Sequence, residues 1–452
     1  MARSIFAAVR QIKADIGQFL SPQLIHEVCA AVGHGWRQRV LDPVTTVQLF
    51  ALQILHGNTA CAHVPRLGAV DCTGEAFCQA RQRLPLAVFK TLLRLLSFGL
   101  NRDATLDEGR WHGHRTFLID GSNCSMPDTP ALQHAFGQPG AQKPGCGFPQ
   151  MHLLALFHAT TGLLLNIVAA PLRTHDLSRV GDVHPDLQAG DIVVGDRGFC
   201  SFVHLVTLTK QGVFGLFRGH QRQIVDFRAN RRAASKRSRR QKQRGLPNSR
   251  WLRRLGRHDQ LVEYRKPTGR PAWMNDADFA ALPNTLVVRE LRFTIAQRGC
   301  RTRVVTLATT LLDADRYPKA DVAWLYGQRW RIETNFRHLK HTLRMDVLHC
   351  KSVAGVHKEL MMYALVYNLV RLVIGEAARR QHAPIDRISF VDAVRWLADA
   401  IHGLRSLTLR IVPHRPGRFE PRVVKRRAKP YDLLNQPRYV LRNRLLRNNV
   451  AA

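Results

Sequence analysis

Apolar residues follow two different periods along this chain of 452 residues. Up to about residue 105 they recur every three or four positions, which places them on one face of an α-helix. In the segment LDPVTTVQLFALQIL, Asp42 is a candidate N-cap and Pro43 occupies the first helical position, and Thr73 is a second candidate cap. We therefore predict helices throughout residues 1–105.

A break between two of these helices is a candidate for DNA binding. The helix that follows Thr73 is interrupted at Pro85, and Arg81 and Arg83 lie beside the interruption. Two short helices joined by a tight turn can place one helix in the major groove of DNA. A plain helical bundle with basic residues on its solvent side gives the same pattern, and the sequence leaves both interpretations open.

From about residue 115 the pattern changes to short apolar runs, which indicate buried strands. The run RTFLIDGSN ends in Asp120 and Gly121, and GDIVVGDRGFC places Asp196 after a further run. Between them, MHLLALFHATTGLLLNIVAA is broken by polar residues and glycine, so we interpret it as two strands around a tight turn and not as a membrane span. A short helix near THDLSRV, a helix in SFVHLVTLTKQG and a last strand, VFGLFRG, complete a mixed α/β sheet. Asp120 and Asp196 are predicted to lie at the ends of two of its strands.

About a hundred residues separate this sheet from the next strong helical pattern. From Arg228 to Arg257 the chain holds 13 Arg or Lys and no Asp or Glu. Three segments with strand patterns follow: LVEYRKP, TLVVRELRFTI and RTRVVTLATTLL. A single loop of this length is uncommon inside a compact domain, so we predict a β-rich insertion with a flexible basic loop.

The last part of the chain is helical and basic. One helix is predicted around Glu333 and a second from about 353 to 382. Because the apolar part of the second helix includes Glu359, Asn368 and Arg371, we interpret it as a buried core helix. The proline-broken end of the chain is predicted to be an extended basic tail.

The charge balance narrows the function. Lys and Arg total 68 against 33 Asp and Glu, a formal net charge of +35, and this favours nucleic acid as a partner. The nine cysteines form no CxxC pair, which argues against a zinc ribbon and suits reduced thiols in the cytosol. The first twenty residues lack a signal-peptide core. We expect a soluble, cytoplasmic protein associated with the nucleoid.

The segment YGQRWRIETNFRHLK contains a single carboxylate, Glu333, among four Arg or Lys residues. At about 100° per residue, a helix puts the following residues on the side of Glu333: Tyr326, Arg329, Trp330, Arg337 and Lys340. An apolar stripe for docking on a sheet is formed by Leu325, Ile332, Phe336, Leu339 and Leu343. An ordinary salt bridge of Glu333 with Arg329 or Arg337 gives the same pattern, so helix geometry alone does not decide between ion pairing and catalysis.

Three carboxylates considered together point to metal chemistry. Hydrolysis or transfer of a phosphodiester uses two divalent ions, and Mg²⁺ prefers carboxylate oxygens. Asp120, Asp196 and Glu333 supply ligands of this type. The cations beside Glu333 are then expected to hold phosphates of the nucleic acid.

These motifs resemble those of a known family. LIDGSN, GDRGF and the pattern Y-x2-R-x3-E-x6-K, formed by Tyr326, Arg329, Glu333 and Lys340, are similar to motifs of the DDE transposases of the IS4 insertion-sequence family. The ending PRVVKRRAKPY is also typical of that family, and the resemblance extends from about residue 20 to 435. It implies an α/β fold with a ribonuclease-H-like mixed-sheet core, interrupted by a β-rich insertion, between helical N-terminal and C-terminal regions.

The resemblance also divides the chain into five parts. Residues 1–105 are predicted to be a helical, DNA-binding N-terminal domain, and 106–217 the first part of the ribonuclease-H-like core. Residues 218–317 are predicted to be the insertion domain, 318–350 the core helix with Glu333, and 351–452 the helical C-terminal region with its basic tail.

The activity implied by the resemblance is metal-dependent cut-and-paste transposition, with a nick at the element end, a hairpin intermediate, hairpin opening and strand transfer into target DNA. Asp120, Asp196 and Glu333 would be catalytic metal ligands for two Mg²⁺ ions, with Mn²⁺ as a possible substitute. Tyr326, Arg329 and Lys340 would contact phosphates. Arg337 and Trp330 are further DNA-binding candidates, although Trp330 could equally be a packing residue.

The implied partners are double-stranded DNA, both as terminal inverted repeats and as target, and a second copy of the chain in a homodimeric synaptic complex. Neither a membrane nor ATP is expected, since no Walker loop is present. An aromatic residue of the insertion is expected to stack on a flipped base, and Trp251 and Trp273 are equal candidates. Two other functions remain open: an inactive DNA-binding regulator of transposition and a stand-alone ribonuclease-H-like nuclease.

Several other polar residues are given structural interpretations. Asp128 is interpreted as a loop residue and Asp191 as a turn residue. A group of histidines matches no tetrahedral metal site and is interpreted as part of the basic surface: His112, His114, His338, His341 and His349. Ser122 and Ser125 lack the setting of a nucleophile elbow.

Overall fold

The computed structural model describes residues 21–102, 109–234, 245–295, 304–399, 406–413 and 434–450. Its first part is helical, as predicted. Five helices, α1 to α5, span Pro22–Ala31, Pro43–Leu55, Val64–Leu67, Gly74–Arg83 and Leu86–Arg102. Both predicted caps are confirmed, because Asp42 and Thr73 accept hydrogen bonds from backbone N–H groups in the first turns of α2 and α4.

Arg81, in the last turn of α4, is buried inside the helical bundle. Its guanidinium lies 3.8 Å from the centre of the Phe50 ring, and its Nη1 donates to Gln53 Oε1 at 2.6 Å. The predicted break follows, since α4 ends at Arg83 and α5 begins at Leu86. Arg81 is therefore a packing residue and not a DNA-reading one, whereas Arg83 is exposed.

Five strands form the core sheet, as the apolar runs predict. Strands β1 to β5 span Thr116–Ser125, Gln150–His158, Leu164–Pro171, Ile192–Gly195 and Phe214–Arg218. Their order is β3-β2-β1-β4-β5, where β2 is antiparallel to β1 and β3, and β1, β4 and β5 are parallel. This order and these directions are those of the ribonuclease-H-like fold, so the predicted fold class is confirmed. Helices α6 to α8 connect these strands and span Pro130–Phe136, Val180–Val183 and Phe202–Lys210.

The insertion contributes four more strands to the same sheet. Strands β6 to β9 span Arg250–Gly256, Asp259–Arg265, Thr285–Thr294 and Val304–Thr309, and α9 spans Asp276–Ala280. Because β9 pairs antiparallel with β5, the sheet continues to nine strands. Strand β6 lies within the basic run that was predicted to be a loop, and that part of the prediction is wrong.

A buried ion pair joins the insertion to the segment that follows it. Arg289 on β8 is fully buried, and its guanidinium makes two hydrogen bonds to the Asp259 carboxylate on β7, at 2.9 and 2.6 Å. Its Nη1 also donates to the carbonyl of Tyr317 at 2.7 Å, just before the Glu333 segment begins.

The segment that carries Glu333 changes pitch along its length. Helix α10, Lys319–Gly327, continues into a 3₁₀ turn over Gln328–Trp330, then α11 over Arg331–Arg337 and a π turn over His338–Thr342. The uniform helix predicted for this segment is therefore wrong in detail, although the backbone remains helical throughout.

The predicted buried helix is α12, Val353–Arg380. It is the one helix in the described part of the chain that is long and apolar enough to cross a membrane, and 89% of its most apolar 18-residue window is buried inside the protein. The side-chain amide of Asn368 bonds both the N–H and the C=O of Leu164 on β3, each at 2.8 Å. These contacts confirm a core helix that packs on the sheet.

Two further helices, α13 and α14, span Phe390–Asp399 and Arg438–Val450. The sequence predicts an extended tail at the end of the chain, and this prediction is wrong for Arg438–Val450, which is helical. The remainder of the predicted tail at 414–433, the middle of the basic loop at 235–244 and the first twenty residues lie outside the described residues. The limits predicted for the five domains stay predictions.

Candidate active site

Asp120 and Asp196 lie level with each other at one edge of the core sheet. Asp120 is in the middle of β1, so its predicted position at a strand end is wrong. The parallel pairing of β1 with β4, however, ends at Leu118 and Val194. Asp120 comes two residues after Leu118, and Asp196 comes two residues after Val194, directly beyond β4. The two acids therefore lie where these neighbouring strands separate.

Strand alternation turns Asp120 towards the Glu333 segment. Phe117 and Ile119 belong to the apolar cluster on one face of the sheet, whereas Leu118 belongs to the cluster that contains Ile332 and Phe336. Because successive side chains of a strand point to opposite faces, Asp120 shares the face of Leu118.

The predicted apolar stripe docks the Glu333 segment on this face. All five predicted positions are buried: Leu325, Ile332, Phe336, Leu339 and Leu343. The ring of Phe336 meets that of Phe157 on β2 edge to face, with 5.4 Å between centroids. Glu333, on the opposite side of α11, is half exposed.

Arg329 lies between two of the three acids. Its Nη1 is 3.8 Å from Asp120 Oδ2, and its Nη2 is 3.8 Å from Glu333 Oε1. The salt bridge within the helix that the sequence left open is therefore present, but the same guanidinium also reaches the strand. Both contacts are long, and the buried Nε of Arg329 has no hydrogen-bond partner among the described residues.

The remaining helix residues surround the acids at different depths. Lys340, inside the π turn, places its Nζ 3.3 Å from Ser122 Oγ on β1. Tyr326 is buried, whereas Trp330 is 46% exposed and its ring lies 4.7 Å from the Arg329 guanidinium. Arg337 is exposed. π turns are rare and are often found at functional sites.

Burial raises the pKa values of two of the three acids, Asp120 and Glu333. Burial raises the pKa of Asp120 to about 6, and the charges of Asp196 and Asp176 add to the rise against the opposing Gly121 N–H and Arg329. Burial also raises the pKa of Glu333, opposed by the charges of Arg329 and Arg337. Ionised carboxylates at this edge are therefore held at a free-energy cost, and a cation would reduce that cost.

Three residues near the acids were not singled out from the sequence. Arg218 ends β5, and β5 pairs with β4 up to Phe217 and Gly195, so Arg218 is level with Asp196. Burial raises the pKa of Tyr326, and the charges of Arg329 and Arg218 oppose that rise. His152 and Asp176 lie beside Gly121. One feature of the sequence could have drawn attention to Arg218, namely its position at the end of an apolar run. For Asp176 the corresponding feature is the His175–Asp176 pair that follows the β2–β3 hairpin.

Other acids and histidines have structural partners. Asp191 is not a plain turn residue, because it forms a buried ion pair with Arg115 at 2.6 Å. Asp128 contacts Arg438 at the start of α14. His338 stacks on Phe390 with centroids 4.1 Å apart, and His114 contacts Tyr317 and the Gly190 carbonyl, so these two are not part of a basic surface.

The two tryptophans considered for base stacking are partly buried. Trp273 packs with Phe279 against the cluster that includes Val203 and Val206 of α8. Trp251 lies on β6, where its Nε1 is buried without a hydrogen-bond partner among the described residues.

The chemistry of the donor set fits a hard divalent cation. Asp120, Asp196 and Glu333 offer only carboxylate oxygens, the ligands that Mg²⁺ and Mn²⁺ prefer. Burial is the main cause of the raised pKa of Asp120, and it disfavours the ionised form of this ligand when no cation is bound. Within the described part of the chain, no three His, Cys, Asp or Glu side chains are grouped closely enough to hold one ion. Arg329 occupies the space between Asp120 and Glu333 in this arrangement.

Comparison with known proteins agrees with the motifs. A family profile described as a transposase DDE domain matches residues 111–369. The chain is 26% identical over 380 residues to the transposase InsG for insertion sequence element IS4 of Escherichia coli K12, which covers 81% of this chain and 78% of that protein. It is 31% identical over 139 residues to the putative transposase InsZ of the same organism, covering 30% of this chain and 46% of InsZ.

One solved structure is also similar. It is a cryo-EM structure of the piggyBac transposase synaptic complex with hairpin DNA, which aligns with a TM-score of 0.44 and 9% sequence identity. The alignment covers 86% of this chain and 80% of that chain.

Proposed function

Since this chain belongs to the DDE transposase family, within its IS4 group, we propose that it moves its element by a cut-and-paste route through a hairpin intermediate. The family makes it an enzyme that binds, cleaves and joins DNA. The observation that carries the finer proposal is the arrangement of three acids and several cations at one sheet edge. Asp120 and Asp196 are level there, and Glu333 faces Asp120 across Arg329.

The route consists of phosphodiester exchanges. Water attacks the phosphorus at the element end, and the bond to the leaving 3′ oxygen breaks, which leaves a free 3′-OH. That 3′-OH attacks the opposite strand and displaces another 3′ oxygen, so the element end closes as a hairpin. A second water opens the hairpin, and the renewed 3′-OH attacks target DNA. Each exchange forms one P–O bond and breaks one, so no ATP is required.

Asp120, Asp196 and Glu333 are the residues proposed to hold the divalent metal, Mg²⁺ or Mn²⁺, with two ions in the site. When bound, the metal activates the attacking oxygen and stabilises the leaving oxygen. Glu333 projects from α11, whereas both aspartates belong to the sheet, so the docked helix completes the ligand set.

The cations around the acids are proposed to hold phosphates of the DNA end. Arg329 and Lys340 lie beside Asp120 and Ser122 on β1, and Arg218 is level with Asp196 on the next strand. The contacts of Arg329 to the acids, at 3.8 Å, are loose enough for a phosphate to replace them. Tyr326, Trp330 and Arg337 border this region and are proposed as further DNA contacts.

Two copies of the chain are proposed to act together in the synaptic complex, because both ends of an element must be cut and joined to one target. The proposed partners are the terminal inverted repeats and target DNA, and the proposed location is the nucleoid. The net charge of +35 supports this association with DNA.

Cleavage of an end-bearing duplex in the presence of Mg²⁺ tests the proposal. Asp120→Ala, Asp196→Ala and Glu333→Ala should each abolish nicking, hairpin formation and strand transfer while the DNA is still bound. Asp182→Ala removes an exposed carboxylate from α7 and should leave all three steps intact. Full activity in any of the three site variants would refute the assignment. Nicking without hairpins or joined products would favour a stand-alone nuclease, and binding without cutting would favour a regulator.

A further inference from the structure

A series of contacts links the two strands that separate at the candidate active site. It consists of side-chain hydrogen bonds from β1 to Asp176 and of the close approach of two short turns from Asp176 to Asp196. Strands β1 and β4 stop pairing at Leu118 and Val194, so backbone hydrogen bonds do not set the distance between Asp120 and Asp196. Two metal ions would need that distance to be held within a fraction of an ångström. Contacts outside this pair of strands can therefore contribute to fixing it.

His152 begins this link on the β1 side. It is directly opposite Asn123 in the antiparallel register of β1 and β2, and its Nδ1 lies 2.8 Å from Asn123 Oδ1. Its Nε2 donates to Asp176 Oδ1 at 2.6 Å. The imidazole is mostly buried, with 13% of its surface exposed. Its part-buried bond to Asp176 is therefore less easily replaced by water than its exposed bond to Asn123.

Asp176 continues the link towards Asp196. It begins the 3₁₀ turn Asp176–Ser178, and that turn contacts the 3₁₀ turn Arg197–Phe199, which directly follows Asp196. Asp196 caps the second turn through a 2.7 Å hydrogen bond from Gly198 N–H to its Oδ1. The chain of contacts thus runs from β1 through His152 and Asp176 to the turn that Asp196 caps.

Gly121 leaves room for this pair next to Asp120. A Cβ added at Gly121 would lie 2.7 Å from Asp176 Oδ1 and 3.0 Å from His152 Cε1. Both distances are shorter than ordinary van der Waals contact. A side chain at position 121 would therefore push against the His152–Asp176 pair, and glycine avoids this contact.

We propose that His152 and Asp176 are positioning residues that hold Asp120 and Asp196 at the separation needed to bind the divalent metal. This inference rests on the proposed function for the identity of the metal ligands. His152 and Asp176 act through those ligands and need not touch the DNA. Groups that orient metal ligands commonly change metal affinity or activity by about 10–100-fold when they are replaced.

Binding of Mn²⁺ to the full chain, followed by the electron paramagnetic resonance signal of the free ion, tests the proposal without requiring catalysis. Asp176→Asn and His152→Gln should weaken Mn²⁺ binding by about 10–100-fold. Gly121→Ala should have a similar effect, because its methyl group displaces the pair. The matched control Asp182→Asn changes an exposed acid six residues from Asp176 and should bind Mn²⁺ as the wild type does.

Two further measurements separate positioning from a general role in folding. Melting temperatures of the variants in EDTA should stay within a few degrees of the wild type, and affinity for end DNA without metal should be unchanged. The kcat for end cleavage should fall as the Mn²⁺ affinity falls, and it should recover partly at higher Mn²⁺ concentration.

An Mn²⁺ affinity equal to that of the wild type in Asp176→Asn and His152→Gln would overturn the inference. A lowered melting temperature with Mn²⁺ affinity intact would also overturn it. A wild-type protein that binds Mn²⁺ but cuts no DNA would refute the proposed function, whereas the Mn²⁺ comparison would still decide this inference.

Discussion

Asp120 must be ionised for its proposed function as a metal ligand, but its ionisation lowers the stability of the folded chain when no metal is bound. Its pKa in the folded chain is about 6, above the ordinary value of 3.8, because of burial and the neighbouring acids. The unfolded chain therefore releases this proton at lower pH than the folded chain does. The contribution of Asp120 to stability is fully present below about pH 4 and is lost as the pH rises through about 6.

Asp120→Asn should consequently stabilise the metal-free protein at pH 7, by at most about 3 kcal/mol for a shift of this size. Near pH 4 the same substitution should change stability little, because both side chains are then neutral. Melting temperatures in EDTA at the two pH values provide the measurement. Asp182→Asn, which removes one partner of an exposed pair with Arg179, should change the melting temperature little at pH 7. A lower melting temperature for Asp120→Asn at pH 7 would show that Arg329 offsets the burial of this acid.

The residues of the site differ in how far the sequence could predict them. Glu333 and Arg329 are separated by one helical turn, so their contact follows from spacing alone. Asp120 follows an apolar run, but the sequence does not show that β1 continues to Ser125, because polar residues on the exposed part of a strand resemble a loop. His152 meets Asp176 through the register of β2 with β3, which places Ala170 opposite His152, and through the turn that follows β3. The hydrophobic periodicity of the sequence therefore does not predict this contact.

At the scale of elements, the buried pair of Arg289 and Asp259 ties the insertion to the Glu333 segment. Removing one partner of a buried pair leaves an uncompensated charge, which typically costs about 3–5 kcal/mol. Asp259→Ala should therefore lower the free energy of unfolding by about that amount. It should also release the Tyr317 carbonyl contact that precedes α10. Urea unfolding followed by the tryptophan fluorescence of the full chain provides the measurement.

Strand β7 offers a matched control for this substitution. Glu263, four residues from Asp259, pairs with Arg250 at 2.9 Å, and the arginine side chain is 54% exposed. Glu263→Ala should cost less than about 1 kcal/mol, since solvent screens exposed pairs. Equal costs for the two substitutions would mean that the buried pair does not anchor the insertion.

The elements themselves were predictable where one face of each is buried. Alternating or continuous apolar runs identified β1 to β5 and β7 to β9, and the 3.6-residue period identified α2, α4 and α12. Strand β6 was missed because its basic residues, such as Arg253 and Arg254, conceal any alternation. The 3₁₀ and π turns around Glu333 were also missed. They add no apolar residue, so the apolar pattern does not reveal them.

At the scale of the whole molecule, the positive charge is not confined to the basic run from Arg228 to Arg257. The excess of Lys and Arg over Asp and Glu is 35, and only 13 of the basic residues lie in the run from Arg228 to Arg257. Without that run the net charge is still 35 − 13 = +22. Close approach of DNA to the acids at the sheet edge therefore depends on cations distributed over the molecule, with Arg329 and Lys340 nearest to the acids.

Binding to end DNA should accordingly weaken steeply with salt, because each phosphate contact releases condensed counterions. With about six to ten phosphate contacts, the affinity should fall by roughly 10³–10⁵ between 50 and 200 mM salt. Lys340→Ala should reduce the slope of log affinity against log salt by about one. Arg94→Ala, which removes an exposed cation already paired with Asp186, should leave the slope unchanged. Fluorescence anisotropy with labelled duplex measures both slopes, and a flat response for the wild type would mean that phosphate contacts do not dominate binding.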